Sequence, residues 1–142
     1  MILKKTITSL LSLLLVFALL ACLAACGDKG NPWDDAIYTS DTELGTGAKT
    51  LTVEVTAEGK TITLTVHTDK EKVGAALIEE GLLAGEDGAY GLYVKRVNGM
   101  LADYDKNQTY WAFYIDGEYA MAGVDGTAID ESAVYRLAYT KG

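Results

Sequence analysis

Histidine and cysteine are nearly missing from this chain, and each shortage closes off a class of function. His67 is the only histidine, so a Ser-His-Asp or Cys-His nucleophilic site would have to be built on it alone. Strand alternation turns His67 outward near a strand end, where a solvated role is expected. Transition-metal centres draw several ligands from His and Cys, which the sequence does not hold. The two cysteines, Cys22 and Cys26, both lie at the end of one N-terminal apolar run, so no disulfide is expected in the domain beyond. Basic residues are few: 12 Lys and Arg stand against 20 Asp and Glu, a formal net charge of −8. Nucleic acid and anionic headgroups call for clustered Lys and Arg, so neither is an expected partner. Carboxylates are so numerous that a chance pair says little about general acid–base chemistry. The chain reads as a binding protein, not an enzyme.

What the N-terminus does contain is an address. Lys4 and Lys5 precede a stretch from Ile7 to Ala25 without a charged residue, and Leu23-Ala24-Ala25-Cys26 closes it. A cationic start, an apolar middle and a small-residue cleavage site make a secretory signal. With cysteine next, the pattern resembles a bacterial lipoprotein signal, in which the thiol is lipidated and becomes the new N-terminus. The alternative is a plain transmembrane helix, since the run is about the ~20 residues that a span needs. The small residues at its end and the cysteine after them favour the signal. Leu19-Leu20-Ala21-Cys22 is a weaker second cleavage site because leucine stands two positions before its cysteine. Residues 1–25 are therefore expected to be a lipoprotein signal peptide, and Cys26 the lipidation site. The mature chain would sit on the extracytoplasmic face of the cell membrane, with the bilayer as its first partner. A single acyl chain holds marginally at ~0.8 kcal/mol per buried methylene, so a diacyl anchor is what makes attachment durable.

Residues 26–48 read as the lipidated cysteine and a tether. Gly27, Gly30, the only proline (Pro32) and three aspartates predict a solvated start. Trp33, Ile37, Tyr38 and Leu44 are unusual in a linker, and 36–44 could pack as an edge strand. Residues 49–142 form the expected domain. Leu51, Val53 and Val55 alternate with polar residues, as do Ile62, Leu64 and Val66, with Glu58-Gly59 between them: a hairpin. Thr68 with Glu71 forms a capping-box signature ahead of a short helix over about 69–80, with Gly81 at its C-cap. Strands return at 90–97, at 109–115 with Trp111, Phe113 and Ile115 on one face, at 118–121 and at 134–140. Asn98-Gly99 and Asp116-Gly117 are hairpin turns. The expected fold class is α+β: β-grasp-like, a mostly antiparallel sheet with one short helix, after an N-terminal signal helix.

Several stretches come in a recognisable order: Tyr90-Gly91-Leu92-Tyr93, Val97-Asn98-Gly99, the run from Tyr110 to Ala120, and Gly123-Val124-Asp125. Together they resemble a family of bacterial surface proteins defined by a domain of unknown function, related to the C-terminal β-domain of transcobalamin and intrinsic factor. The resemblance spans about residues 49–140. It implies the fold more than the ligand, because its motifs are mainly turns and core aromatics. By fold-level analogy it implies a corrinoid or cobalamin ligand, although the animal relatives add a large helical domain for which this chain has no room.

The aromatic residues are the first candidate site. Of nine tyrosines, Tyr90, Tyr93, Tyr104, Tyr110, Tyr114 and Tyr119 fall in one window together with Trp111. Tyrosine pairs a large apolar face with a polar tip and suits flat or amphipathic ligands. Tyr104, Tyr110, Tyr114 and Tyr119 are the expected ligand-binding set, and core packing is the expected role of Trp111 and Phe113. The second candidate is a divalent metal, calcium, at Asp103, Asp105 and Asn107, with Asp125 or Asp130 as additional ligands. These match the first three oxygen positions of an EF-hand, but Gln108 stands where glycine is required and Tyr114 where the bidentate glutamate belongs. An EF-hand is excluded, while a looser site stays open. The functional expectation is a lipid-anchored small-ligand-binding protein. The alternatives are a calcium-binding surface protein and a cell-envelope interaction module, with a membrane transporter or envelope protein as partner.

Overall fold

A computed structural model describes residues 30–142 of the chain. The expected signal peptide, its helix and Cys26 lie outside the described residues. Among the described residues no helix is long and apolar enough to cross a membrane.

Alternation in the two early strands drives the architecture. In β2 (Lys49–Ala57), Leu51, Val53, Val55 and Ala57 are buried while the threonines between them are half-exposed. β3 (Lys60–Thr68) repeats this with Ile62, Leu64 and Val66. Glu58 and Gly59 join them, both at positive φ (48° and 77°), as the tight turns that match strand twist require. β1 (Thr42–Gly45) lies parallel to β3, and β9 (Val134–Lys141) lies parallel to β2. β7 (Thr109–Ile115) runs antiparallel to β9, and β8 (Glu118–Tyr119) folds back on β7. The result is a six-stranded sheet, β1-β3-β2-β9-β7-β8. This sheet is mixed: β1–β3 and β2–β9 pair parallel, while β2–β3, β7–β9 and β7–β8 pair antiparallel, so the expected antiparallel pairing predominates without being complete.

A second, antiparallel sheet contains β4 (Leu83–Gly88), β5 (Gly91–Val97) and β6 (Met100–Leu101). β4 went unread in the sequence. Its residues after Leu83 are glycine- and acid-rich and exposed, so no apolar alternation marks it. The expected helix is shorter than read, spanning Val73–Glu79 (α1). Its capping box does not form: Lys72 is the N-cap, without a side-chain cap. The Thr68 hydroxyl instead accepts from Lys70 N–H at 3.0 Å. Backbone carbonyls of Thr127 and Val124 take the helix-start N–H groups of Val73 and Gly74, at 3.0 and 2.8 Å. The C-terminus behaves as the sequence indicated. Gly81 adopts φ +69°, Leu82 N–H reaches Leu77 C=O and Gly81 N–H reaches Ile78 C=O, a Schellman closure. A second helical turn, α2 (Tyr104–Asn107), precedes β7.

Local structure also lies inside the expected tether. Residues 32–35 form a 3-10 turn capped by the Asn31 side chain, and it buries Trp33. The Trp33 indole Nε1 donates to Ala57 C=O at 2.8 Å, and Lys60 Nζ stands 4.5 Å from its ring centroid. Within 36–44, Tyr38 and Leu44 pack on the core.

Candidate functional site

The inward face of the large sheet turns hydrophobic along β7 and β9. Register places Trp111 opposite Tyr139 and Phe113 opposite Leu137. Trp111 meets Tyr139 edge to face (centroids 5.5 Å, 73°), while Phe113 stacks on Tyr135 at 6.0 Å. Trp111 and Phe113 are buried, the role that alternation gave them. Leu92 and Val94 of β5 approach this wall, and the chain after β8 closes the third side. Between them lies an open cleft of about 360 Å³. Its lining includes Trp111, Phe113, Leu92, Tyr110, Tyr119 and Met121, and none of its lining residues carries a charge. Met121 is fully exposed at the rim, as is Tyr90. On the far side of the strap 119–122 runs a second hollow of about 600 Å³, which adds Asp116 and Glu118 to its wall.

The four expected tyrosines form two pairs. Tyr104 lies 6.5 Å from Tyr110, and Tyr114 lies 5.6 Å from Tyr119, edge to face. Tyr110 and Tyr119 reach the cleft lining; Tyr104 and Tyr114 do not line it and back their partners from outside. The cleft also uses Trp111, Tyr93 and Met121, which the sequence reading had not assigned to a ligand. The signal for Tyr90 and Tyr93 was present in the tyrosine window, whereas Met121 carried none.

The acidic loop has a structural task. Asp103 caps α2, its Oδ1 accepting from the N–H groups of Asp105 and Lys106 at 3.1 and 3.3 Å. Asn107 Oδ1 accepts from the Thr109 hydroxyl. Asp125 Oδ2 accepts from Leu92 N–H at 3.2 Å, and Asp130 accepts from Ser132. Among the described residues, no three His, Cys, Asp or Glu side chains group as metal ligands. His67 does face outward, but it is half-buried, with Nε2 at 2.5 Å from Glu43 Oε1 and Nδ1 at 3.4 Å from the Thr50 hydroxyl.

The likenesses fit this architecture. Residues 71–140, just under half of the chain, match the model of a family described as a domain of unknown function (DUF4430). A crystal structure titled "putative metal binding protein" from Ruminococcus gnavus ATCC 29149 superposes with a TM-score of 0.62 at 29% identity. That match covers 67% of this chain and 99% of the other. Haptocorrin in complex with Cbi matches with a TM-score of 0.55 at 17% identity, which shows a shared fold. It covers 66% of this chain and 25% of haptocorrin, so the chain spans about a quarter of that protein. No curated protein matches the chain.

Proposed function

We propose that this protein is a small-ligand-binding module held on the extracytoplasmic face of the membrane by lipid on Cys26, and that its ligand enters the cleft beside β7. The observation that carries this reading is the cleft itself: about 360 Å³, open, aromatic-walled and free of charge in a strongly acidic chain. Ligand sites occupy about 300–1,000 Å³ and are mostly apolar with a few polar groups. Tyr110 and Tyr119 belong to its lining, each beside a second tyrosine. The module performs no catalysis. Tethering keeps the site close to a membrane transporter or envelope protein that receives the ligand. The likeness to haptocorrin supports a corrinoid-type ligand, straddling the strap to use both hollows. Titrating the purified chain with cobinamide and cobalamin, followed by calorimetry and tryptophan fluorescence, tests the ligand. Absence of heat and of quenching at high micromolar concentration rejects corrinoids. Fatty-acid labelling of the intact chain, lost in Cys26→Ala, tests the anchor.

A divalent-metal reading draws on the printed description of the Ruminococcus protein and on Asp103, Asp105 and Asn107. It requires a calcium-dependent rise in melting temperature that an Asp103→Ala, Asp105→Ala double variant abolishes.

A further inference from the structure

The uncompensated charge around the cleft is all of one sign. The cleft and the second hollow share Tyr119, Ala120, Met121 and Ala122 of the strap. Among the described residues, the only charged side chains lining either are Asp116 and Glu118. Two basic residues adjoin the cleft lining in sequence, Lys95 after Val94 and Arg136 before Leu137. Both are already engaged, by Glu86 at 3.3 Å and by Glu54 at 3.0 Å. Asp116 and Glu118 have no ion-pair partner among the described residues. Aromatic rings stand at the same rim, with Tyr119 64% and Tyr93 44% exposed. The face of such a ring attracts cations. The chain already uses this attraction where Lys60 Nζ stands 4.5 Å from the Trp33 ring centroid.

We infer that the cleft selects an organic cation, with its apolar body against the wall of Trp111 and Phe113 and its ammonium group at the open rim, on the Tyr119 ring and the Glu118 carboxylate. The inference rests on the reading of the cleft as the ligand site and adds the chemical class. Tyr119 lines both hollows and so joins the apolar wall to the carboxylate side of the strap. An ammonium at an open rim keeps part of its hydration and avoids the cost of burying a charge among uncharged side chains. Ring and carboxylate then add an attraction that a neutral ligand of the same shape lacks. An anion meets the opposite field, from a chain of net charge −8 with carboxylates beside the entrance. A cation without an apolar body gains only a screened surface attraction and leaves the aromatic wall uncovered.

Four probes separate these classes: phenethylammonium, its neutral counterpart 2-phenylethanol, the anion phenylacetate, and methylammonium, which has the charge without the ring. Each is titrated at low ionic strength into the full chain, 15N-labelled, while the backbone amide signals are followed by NMR. Phenethylammonium is expected to shift the amides of the cleft lining saturably and to bind about fivefold or more tightly than 2-phenylethanol. Phenylacetate and methylammonium should bind more weakly than both. Added salt should narrow the gap between amine and alcohol. Glu118→Gln is expected to weaken phenethylammonium about threefold and to leave 2-phenylethanol unchanged. Glu43→Gln removes the same charge from β1, the opposite edge of the sheet, and should change neither. The amide spectrum of each variant reports an intact fold. Equal affinity for amine and alcohol overturns the inference. So does a Glu118→Gln variant that weakens phenethylammonium no more than Glu43→Gln does, because the preference would then belong to net charge alone. Methylammonium binding as tightly as phenethylammonium overturns it too, as do shifts that are absent or lie outside the cleft. Saturable corrinoid binding alongside any of these results overturns this inference alone and leaves the binding-module reading standing.

Discussion

Tyr38 and Asn98 are joined by two reciprocal hydrogen bonds: Tyr38 N–H donates to Asn98 Oδ1 at 2.9 Å, and Asn98 Nδ2 donates to Tyr38 C=O at 2.8 Å. The side-chain amide thus imitates a neighbouring strand for a segment 60 residues away in sequence. Asn98 is fully buried, and its own N–H and C=O bond Leu82 and Ile37. It also holds φ +51° in the hairpin turn with Gly99. One residue therefore closes the β5–β6 turn and fastens the segment that leads into the domain.

Asn98→Ala removes both side-chain bonds and forces alanine into a left-handed conformation. The Tyr38 amide groups lose partners in a part-buried site, and the expected loss is roughly 2–4 kcal/mol. Urea unfolding of the variant measures it. Asn98→Gly relieves the backbone strain but not the lost bonds, and is expected to fall between the variant and the parent. Equal stability of Asn98→Gly and the parent would show that the amide fastening contributes nothing.

Trp33→Phe tests the second fastening. It leaves Ala57 C=O without its donor and weakens the contact with Lys60. A loss of about 1–3 kcal/mol is expected. Limited proteolysis should then cut within residues 30–41 before the rest of the domain. Uniform cleavage would argue against a locally held segment.

These fastenings mark where sequence pattern reached its limit. The hairpins at 58–59, 98–99 and 116–117 were legible because each turn needs positive φ and each pairs a turn-forming residue with glycine, and at 58–59 both flanking strands also alternate. β4 was not legible, since its exposed ribbon needs no apolar period. The capping box at Thr68 and Glu71 was a sound local signal overridden by the carbonyls of Val124 and Thr127, which arrive from 50 or so residues later in the chain. At the candidate site, composition alone singled out Tyr110 and Tyr119, which line the cleft. The cleft itself was not, because it exists only where β5 and the strap 119–122 meet the β7 wall.

Asp130 makes stability depend on pH in a defined direction. The hydroxyl and the N–H of Ser132, donating to its carboxylate at 2.6 and 2.9 Å, hold Asp130 below the ordinary carboxylate value. A carboxylate whose folded pKa is depressed stabilises the fold above its unfolded pKa, and that contribution disappears as pH falls through the folded value. Ser132→Ala should therefore lower stability at neutral pH and flatten the acid limb of the stability curve. At pH low enough to protonate Asp130 in both states, the two proteins should differ least. Chemical denaturation across that pH range provides the comparison. A constant difference at every pH would assign the effect of Ser132 to packing instead.

Asp103 separates a cap from a metal ligand. Its carboxylate already accepts from two N–H groups at the start of α2, and acidic caps contribute about 1 kcal/mol. Asp103→Ala in EDTA should therefore lose about that amount, with no metal present to lose. Asp103→Asn and Asp103→Ser preserve the acceptor and should recover most of it, whereas a calcium ligand would not tolerate loss of the charge so easily. Repeating the three variants in calcium gives the decisive contrast. If the loop only caps α2, their order and spacing stay as in EDTA. If it also holds calcium, the parent alone gains stability and Asp103→Asn falls toward Asp103→Ala.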